Sequence, residues 1–462
     1  MDDDADDIFA SAAMVAPAPK DAFPSIERPA REVYQKVRDE LLLDGVARMN
    51  LATFCTTWLE PEAAQLMADS VAKNIIDKDE YPQTAEIERR CVALVADLFH
   101  APDPAHATGV STTGSSEAAM LSGLAAKWRW RARRAAVGAD TTRPNLVCGS
   151  VQVCWEKFAR YFDVELRQVP MPGGHLLTPE DALAHCDENT IAVVATFGQT
   201  FTGLFEDVAG IAAALDDLQA RTGLDIPLHV DAASGGFVAP FCAPDVLWDF
   251  RLPRVKSINA SGHKTGLAPL GAGWAIWRET GDLPQELIFD VNYLGGNMPT
   301  FTLNFSRPGG QVITSYYLFL RLGRAGYAKV QSAAYTVAQR IAAGIRDLDR
   351  FELVFDGEPE HGIPAVTWTS KDGDDSVLFD LAQQLRMRGW LVPAYTLPPA
   401  QESRAVQRVV VRHGMSVDMA DLLLADIRRC LDDLSALPDG VHLAAAGASG
   451  FNHDATPRVA DA

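Results

Sequence analysis

With 462 residues, of which 48% are hydrophobic and 22% charged, the chain has the make-up of a soluble globular protein of about three domains, long enough to bury a large core without disulfide or metal staples. Its 41 basic against 61 acidic residues leave a formal charge of −20, which weighs against bulk nucleic-acid binding and restricts any association with anionic membranes to acid pH. There is no run of 18 apolar residues to span a bilayer, the acidic start MDDDADDIFA is the reverse of a basic signal sequence, and the seven cysteines form no CxxC, so a cytoplasmic protein with reduced, mostly buried thiols is expected.

Residues 1 to about 27 are rich in Asp, Ala and Pro. Five aspartates (Asp2, Asp3, Asp4, Asp6, Asp7) repel one another there, so the segment reads as mobile at neutral pH. A helix is expected from Thr84, with Ile87, Cys91, Leu94 and Leu98 on one stripe and Glu86 and Glu88 in the first turn, where the helix dipole favours acids. Ser115 and Ser116 open a long helix to about Val137. A strand over 145–148, a helix through Trp155 and Phe158 and a strand over 164–169 follow. Thr178 and Pro179 then stand in N-cap and first-turn order. Strands over 191–196, 226–232, 255–260 and 273–277 and a helix over 208–220 complete the alternation. Such alternation implies a mostly parallel sheet covered on both faces, with ligands bound beyond the carboxyl ends of its strands. After about 312 a long helical stretch leads to short strands over 351–355, 365–369 and 406–411 and two helices, the last from about Met419 to Leu434. The expected division is an N-terminal segment 1–48, a large domain 49–334, a smaller α/β domain 335–443 and a tail 444–462 that begins with a small-residue linker.

Four pieces at strand ends carry chemistry. Thr113-Gly114-Ser115-Ser116-Glu117 turns into a helix and reads either as an anion site of N–H groups and hydroxyls or as an ordinary serine N-cap. Asp231 ends a buried strand and is followed by Gly235 and Gly236; it either holds a protonated ring nitrogen or caps the next turn. Ser261-Gly262-His263-Lys264 follows another strand, and a lysine desolvated in a cleft becomes an imine-forming nucleophile, whereas most lysines lie on the surface. Gln152 begins a helix facing the same cleft, where its planar amide either lies on a flat ring or points to solvent. Asp231 and Lys264 are 33 residues apart, room for one further crossover, so both reach one cleft. Anion nest, strand-end Asp and His-Lys together specify pyridoxal phosphate better than any one of them.

The stretches Asn50-Leu51-Ala52-Thr53-Phe54-Cys55, Lys73 to Gln83, the Gly-Ser-Ser-Glu turn, Trp128-Arg129-Trp130-Arg131 and Ser261-Gly262-His263-Lys264 resemble bacterial and plant glutamate decarboxylases over about 41–435. The resemblance implies the fold type I architecture of pyridoxal-phosphate enzymes, an α/β large domain with a mostly parallel seven-stranded sheet plus a smaller α/β C-terminal domain. It also implies conversion of L-glutamate to 4-aminobutyrate and CO2, with one proton consumed and acid pH favoured. By resemblance, Lys264 is the imine lysine and Asp231 the partner of the ring nitrogen. Ser115, Ser116, Ser261 and His263 contact the cofactor and its phosphate, with Ser306 supplied by the neighbouring subunit. Gln152 lies over one ring face and Ala233 under the other, and Thr200 contributes a hydroxyl. Arg408 holds the α-carboxylate, and Thr53, Phe54, Asn74 and Asp77 form a distal-carboxylate pocket shared across a dimer interface. The implied assembly is at least a dimer and by resemblance a hexamer. No metal is implied. Phe451-Asn452-His453 resembles a C-terminal plug in which His453 is regulatory, although nine more residues follow it here.

Two departures from the pattern stand out. Thr265 follows the lysine where an aromatic residue is expected, and no Trp-bearing basic stretch ends the chain, so a calmodulin switch is not supported. The basic, aromatic segment Trp128 to Arg134 reads as one helix paired with acidic neighbours rather than a nucleic-acid surface. Acid resistance and 4-aminobutyrate metabolism would use the same chemistry. The rival functions are a pyridoxal-phosphate decarboxylase of another acidic amino acid and a non-catalytic pH-responsive scaffold.

Overall fold

The computed structural model describes residues 17–171, 176–293, 295–398, 400–438 and 443. The Asp cluster at 2–7 and the tail from 444 onward lie outside the described residues. The described residues up to Asn50 form a unit of their own, whose main element is the helix Ala30–Leu41. Glu32 in its first turn pairs with Arg28 at 3.3 Å and Lys36 at 3.4 Å, one turn away on either side.

The second unit begins at Leu51. Its strands are β1 (Thr108–Thr112), β2 (Asn145–Cys148), β3 (Glu165–Gln168), β4 (Thr190–Thr196), β5 (Leu228–Asp231), β6 (Val255–Ser261) and β7 (Gly273–Trp277). They build the expected seven-stranded sheet in the order β1-β7-β6-β5-β4-β2-β3. Five strands from β3 to β6 run parallel, and β7 alone opposes both its neighbours. β4, β2 and β5 are buried along their whole length, which is why they read as continuous apolar runs. β1, TGVST, was not anticipated, because its hydroxyls and glycine mask a strand that only pairing with β7 reveals.

Helices cover the sheet. Pro82–Leu98 starts two residues before the expected Thr84, with Pro82 in the first turn. Its buried face is Cys91, Val92, Val95 and Leu98, and the expected stripe is corrected at Leu94, which is 42% exposed. Apolar character alone does not separate Leu94 from its neighbour Val95. In the helix Ser115–Ala136, Arg129 pairs with Asp282 at 2.7 Å and Arg133 with Asp225 at 3.4 Å, as expected for a helix answered by acidic neighbours.

A short ribbon, β8 (Phe289–Val291) with β9 (Met298–Thr300), precedes the long helix Gly310–Arg346. That helix kinks at Gly323 (φ 55°, ψ −174°) and runs on through residue 335. The remaining strands, β10 (Phe351–Phe355), β11 (Ala365–Ser370), β12 (Ala394–Thr396) and β13 (Ala405–Val410), form an antiparallel sheet in the order β10-β11-β13-β12. The helices Ser376–Met387 and Val417–Ser435 accompany it. Three-residue β12 is too short to show a period and was also missed. All seven cysteines are free, four of them buried. No helix among the described residues is long and apolar enough to cross a membrane.

Candidate active site

Because β1, β2, β4, β5 and β6 share one direction, their carboxyl ends meet on one edge of the sheet. There a cavity of about 280 Å³ is lined by Thr113 to Glu117, Gln152, Cys154, Thr196, Gly198, Thr200, Asp231, Ala233, Ser234, His263 and Lys264. Eight of the expected cofactor residues thus converge: Ser115, Ser116, Gln152, Thr200, Asp231, Ala233, His263 and Lys264. Ser261 is buried beside them, and its hydroxyl donates to Ser115 Oγ at 2.6 Å.

The β1 turn is built for close approach. Gly114 (φ 148°) is the N-cap residue before the 22-residue helix, and a Cβ there would press on His263 Cε1 at 3.0 Å. The serine N-cap reading fails: neither serine caps the helix. Glu117 instead reaches back to accept from Thr113 N at 2.8 Å and Thr113 Oγ1 at 2.9 Å. Both serines are therefore spared from capping at the positive end of a long helix.

Asp231, 5% exposed, accepts from Trp155 Nε1 at 2.8 Å, Asn259 Nδ2 at 2.9 Å and Ala233 N at 3.2 Å. The Ala233 contact is the turn-capping use expected of a strand-end Asp, and the same side chain also lines the cavity. Lys264 Nζ lies 3.2 Å from Ser234 Oγ and 5.0 Å from the Phe54 ring centre. Burial pushes the Lys264 ammonium below its ordinary value, against the opposing pull of Asp231. Burial, and then the charge of Lys264, hold His263 below its ordinary value. His263 Nδ1 and Thr196 Oγ1 are buried polar atoms without a hydrogen-bond partner among the described residues. Gln152 is the N-cap of the helix Val153–Tyr161, its Oε1 accepting from Cys154 N at 2.6 Å, and it lines the cavity from that position. Thr265 donates to Ser234 O at 2.9 Å, which is what occupies the position where an aromatic residue was expected.

Arg408 comes from the second sheet. It is 5% exposed on β13, opposite Thr367 on β11. Its guanidinium donates to Ala52 O at 2.9 Å and lies 4.4 Å from the Phe54 ring and 5.5 Å from the Tyr395 ring. Its Nε has no hydrogen-bond partner and no carboxylate pairs with it among the described residues. The segment around Phe54 joins the two cations: Thr56 N donates to His263 O and Thr56 Oγ1 to Lys264 O, both at 2.8 Å, while Arg412 donates to Cys55 O at 2.9 Å. Thr53 Oγ1 accepts from Cys55 N at 3.2 Å within that segment.

Asn74, Asp77 and Ser306 are gathered elsewhere. Asn74 Nδ2 contacts Ser306 Oγ at 3.4 Å, Arg307 N donates to Asn74 Oδ1 at 3.1 Å, and Asp77 N to Asn74 O at 3.1 Å. None of the three is among the residues lining the Lys264 cavity of this chain. His453 lies outside the described residues. The sequence reading missed Trp155, Ser234, His229 and Asn259. His229 alone carried a signal, two residues before Asp231 and so on the same face of β5, whereas Asn259 is placed opposite Asp231 only by the β5–β6 register.

The cavity suits an anionic, flat, aldehyde-bearing ligand: a helix N-terminus with spare hydroxyls, an orphaned imidazole nitrogen, a carboxylate and a desolvated amine. Comparison with known proteins agrees. The model of the pyridoxal-dependent decarboxylase conserved domain matches residues 24–371. A glutamate decarboxylase of Aliivibrio fischeri is 55% identical, covering 98% of each chain. A glutamate decarboxylase of Arabidopsis thaliana is 48% identical over 95% of this chain and 90% of its own. The solved structure of a Lactobacillus brevis glutamate decarboxylase superposes with a TM-score of 0.89 at 44% identity, over 93% of this chain and 98% of that one.

Proposed function

The chain belongs to the pyridoxal-dependent decarboxylase family, and we propose that it converts L-glutamate to 4-aminobutyrate and CO2. The observation that carries the choice of substrate class is Arg408, a buried guanidinium with no acidic partner among the described residues, facing the same Phe54 ring as Lys264. Pyridoxal phosphate, the cofactor of the family, fits the residues present and supplies the electron sink for the pair released when the carboxylate leaves.

The rest is the work of this chain's side chains. Ser115, Ser116 and His263 are proposed to hold the phosphate, Asp231 the ring nitrogen, and Gln152, Thr200 and Ala233 the ring and its substituents. Lys264 loses its proton readily because burial disfavours the ammonium, so its amine is available as nucleophile. Arg408, with its plane set by Phe54 and Tyr395, is proposed to grip the α-carboxylate and fix the direction of the breaking bond. Thr53, Phe54, Asn74 and Asp77 are proposed to receive the distal carboxylate. Two acids in contact need one proton between them, which would favour binding at acid pH. A shorter acid such as aspartate would not reach both ends. Because Asn74, Asp77 and Ser306 do not line the Lys264 cavity of their own chain, the complete site is proposed to need a second chain. The assembly is then at least a dimer and, as the resemblance suggests, a hexamer.

The test is product analysis with glutamate and aspartate over pH 4–8 in the presence of pyridoxal phosphate. Stoichiometric 4-aminobutyrate from glutamate, with rates rising toward acid pH, is expected. A preference for aspartate, or no amine product at any pH, overturns the assignment.

A further inference from the structure

Beside Asp231 lies a row of buried polar groups that the chemistry above leaves unused. His229 sits two residues before Asp231 on β5, and the β5–β6 register places His229 opposite Ser257 and Asp231 opposite Asn259. All four are buried. Asn259 Nδ2 lies 2.9 Å from Asp231 Oδ1, Asn259 Oδ1 lies 2.7 Å from His229 Nε2, and His229 Nδ1 lies 2.7 Å from Ser257 Oγ. The Trp155 indole, which donates to the other Asp231 oxygen, meets the imidazole edge-to-face with ring centres 5.1 Å apart.

Donor and acceptor chemistry places every proton in this row. A carboxylate accepts, so Asn259 must turn its NH2 to Asp231; the flipped amide would set oxygen against oxygen. The amide oxygen then faces His229 and needs a donor, which makes Nε2 the protonated nitrogen. The other nitrogen of a neutral imidazole is an acceptor, so Ser257 donates to Nδ1. Neutrality is supported by burial, which pushes His229 down to about 4 against the pull of Asp231.

We infer that Ser257, His229 and Asn259 form a one-way chain of donors that fixes Asp231 as an oriented anion toward the cofactor ring nitrogen. They are positioning residues; none of the three lines the cavity. The inference rests on the pyridoxal-phosphate reading. A carboxylate has about four acceptor sites. Asn259, Trp155 and Ala233 occupy three, so about one remains for a ring N–H. Donors on the carboxylate favour the charged pair, carboxylate with protonated ring, over the neutral pair in which the proton sits on Asp231. The other ionisable groups within electrostatic reach of Asp231 are Lys264 after β6, Cys154 on the Val153–Tyr161 helix and Glu206 after β4.

The test reads protons directly. In holoprotein carrying pyridoxal phosphate labelled with nitrogen-15 in its ring, the ring signal of the parent should fall in the protonated range from pH 5 to 8. In Asn259→Leu it should move toward the neutral-ring range. Turnover should drop about tenfold, with the KM for glutamate within about twofold, the scale of one hydrogen bond to a charged group. An unmoved ring signal in Asn259→Leu overturns the inference. Nitrogen-15 histidine labelling of the parent, assigned by difference from His229→Asn, gives an answer that needs no variant activity. An Nε2–H tautomer unchanged over pH 5–8 supports the chain, whereas an Nδ1–H tautomer or titration in that interval overturns it. Failure of the parent to take up pyridoxal phosphate at all would instead refute the functional reading.

Discussion

Arg408 shows how much one side chain must do through shape. It is buried, its fork rests against two aromatic rings, and one arm is already committed to Ala52 O. Arg408→Lys keeps the charge but replaces a planar fork by a point, so a carboxylate would be attracted without being oriented. Turnover should fall by about a hundredfold or more, as misplacement of a reacting group does, and by more than KM rises. Steady-state kinetics on glutamate decide it, and a change confined to KM would mean that Arg408 does not aim the breaking bond. At this scale the sequence was most legible where one residue type carries the chemistry alone, as with Lys264 and Asp231 at strand ends. It was least legible where the role lies in a pair across strands. His229 and Asn259 are 30 residues apart, and only the β5–β6 register makes them neighbours. The Gly-Ser-Ser-Glu turn was legible as a helix start, but its capping was not, because a glutamate reaching back to Thr113 leaves no mark distinct from an acid in the first turn.

The segment between β4 and the helix Val208–Thr222 links the two sheets. It brings Thr200 to the cavity, while Tyr395 OH donates to Phe201 O at 2.6 Å, Thr367 Oγ1 to Thr202 O at 2.9 Å and Ile363 N to Gly203 O at 2.9 Å. The sheet that carries Arg408 is thereby tied to the cofactor side. Inside the bend Glu206, 2% exposed, accepts from Thr196 N at 2.6 Å, Gln199 Nε2 at 3.1 Å and Leu177 N at 3.3 Å. Burial nevertheless pushes its carboxyl from 4.5 up to about 7. A raised acid means that the folded chain keeps a proton the unfolded chain releases between about 4.5 and 7. The stabilisation is full below that interval and lost as pH rises through it, on the order of 3 kcal/mol in all. Glu206→Gln should therefore show a flatter profile of stability against pH. Between pH 5 and 8 the thermal midpoint of the parent should fall a few degrees more than that of the variant. Parallel profiles would show that Glu206 stays ionised throughout. None of this was legible in the sequence, where Phe205-Glu206-Asp207 falls between an expected strand and an expected helix and nothing marks the acid as buried. The long buried strands of the main sheet were legible because burial on both faces leaves an unbroken apolar run. β1 and β12, short or rich in hydroxyls, were not.

For the whole molecule, the placement of residues separates two halves of the proposed site. Lys264, Asp231, Phe54 and Arg408 are brought together within one chain, while Asn74, Asp77 and Ser306 are tied to one another by the contacts around Arg307. Arg307 is itself buried and donates to Ser111 O on β1 at 2.6 Å, so this second group is held rigidly on the edge of the sheet. If a site takes one half from each of two chains, damage to different halves should complement. Lys264→Ala alone should be inactive, as should a chain carrying both Asn74→Ala and Asp77→Ala. When the two are produced together and pair at random, half of the dimers are mixed. Each mixed dimer holds one site with both defects and one with none, so about a quarter of the parental activity should return in a two-fold assembly. Recovery on that scale in the co-purified mixture, with none in either protein alone, would establish a shared site. Absence of recovery from a mixture shown by mass spectrometry to contain mixed dimers would place the whole site within a single chain, and the distal pocket would then have to be sought among residues nearer Lys264.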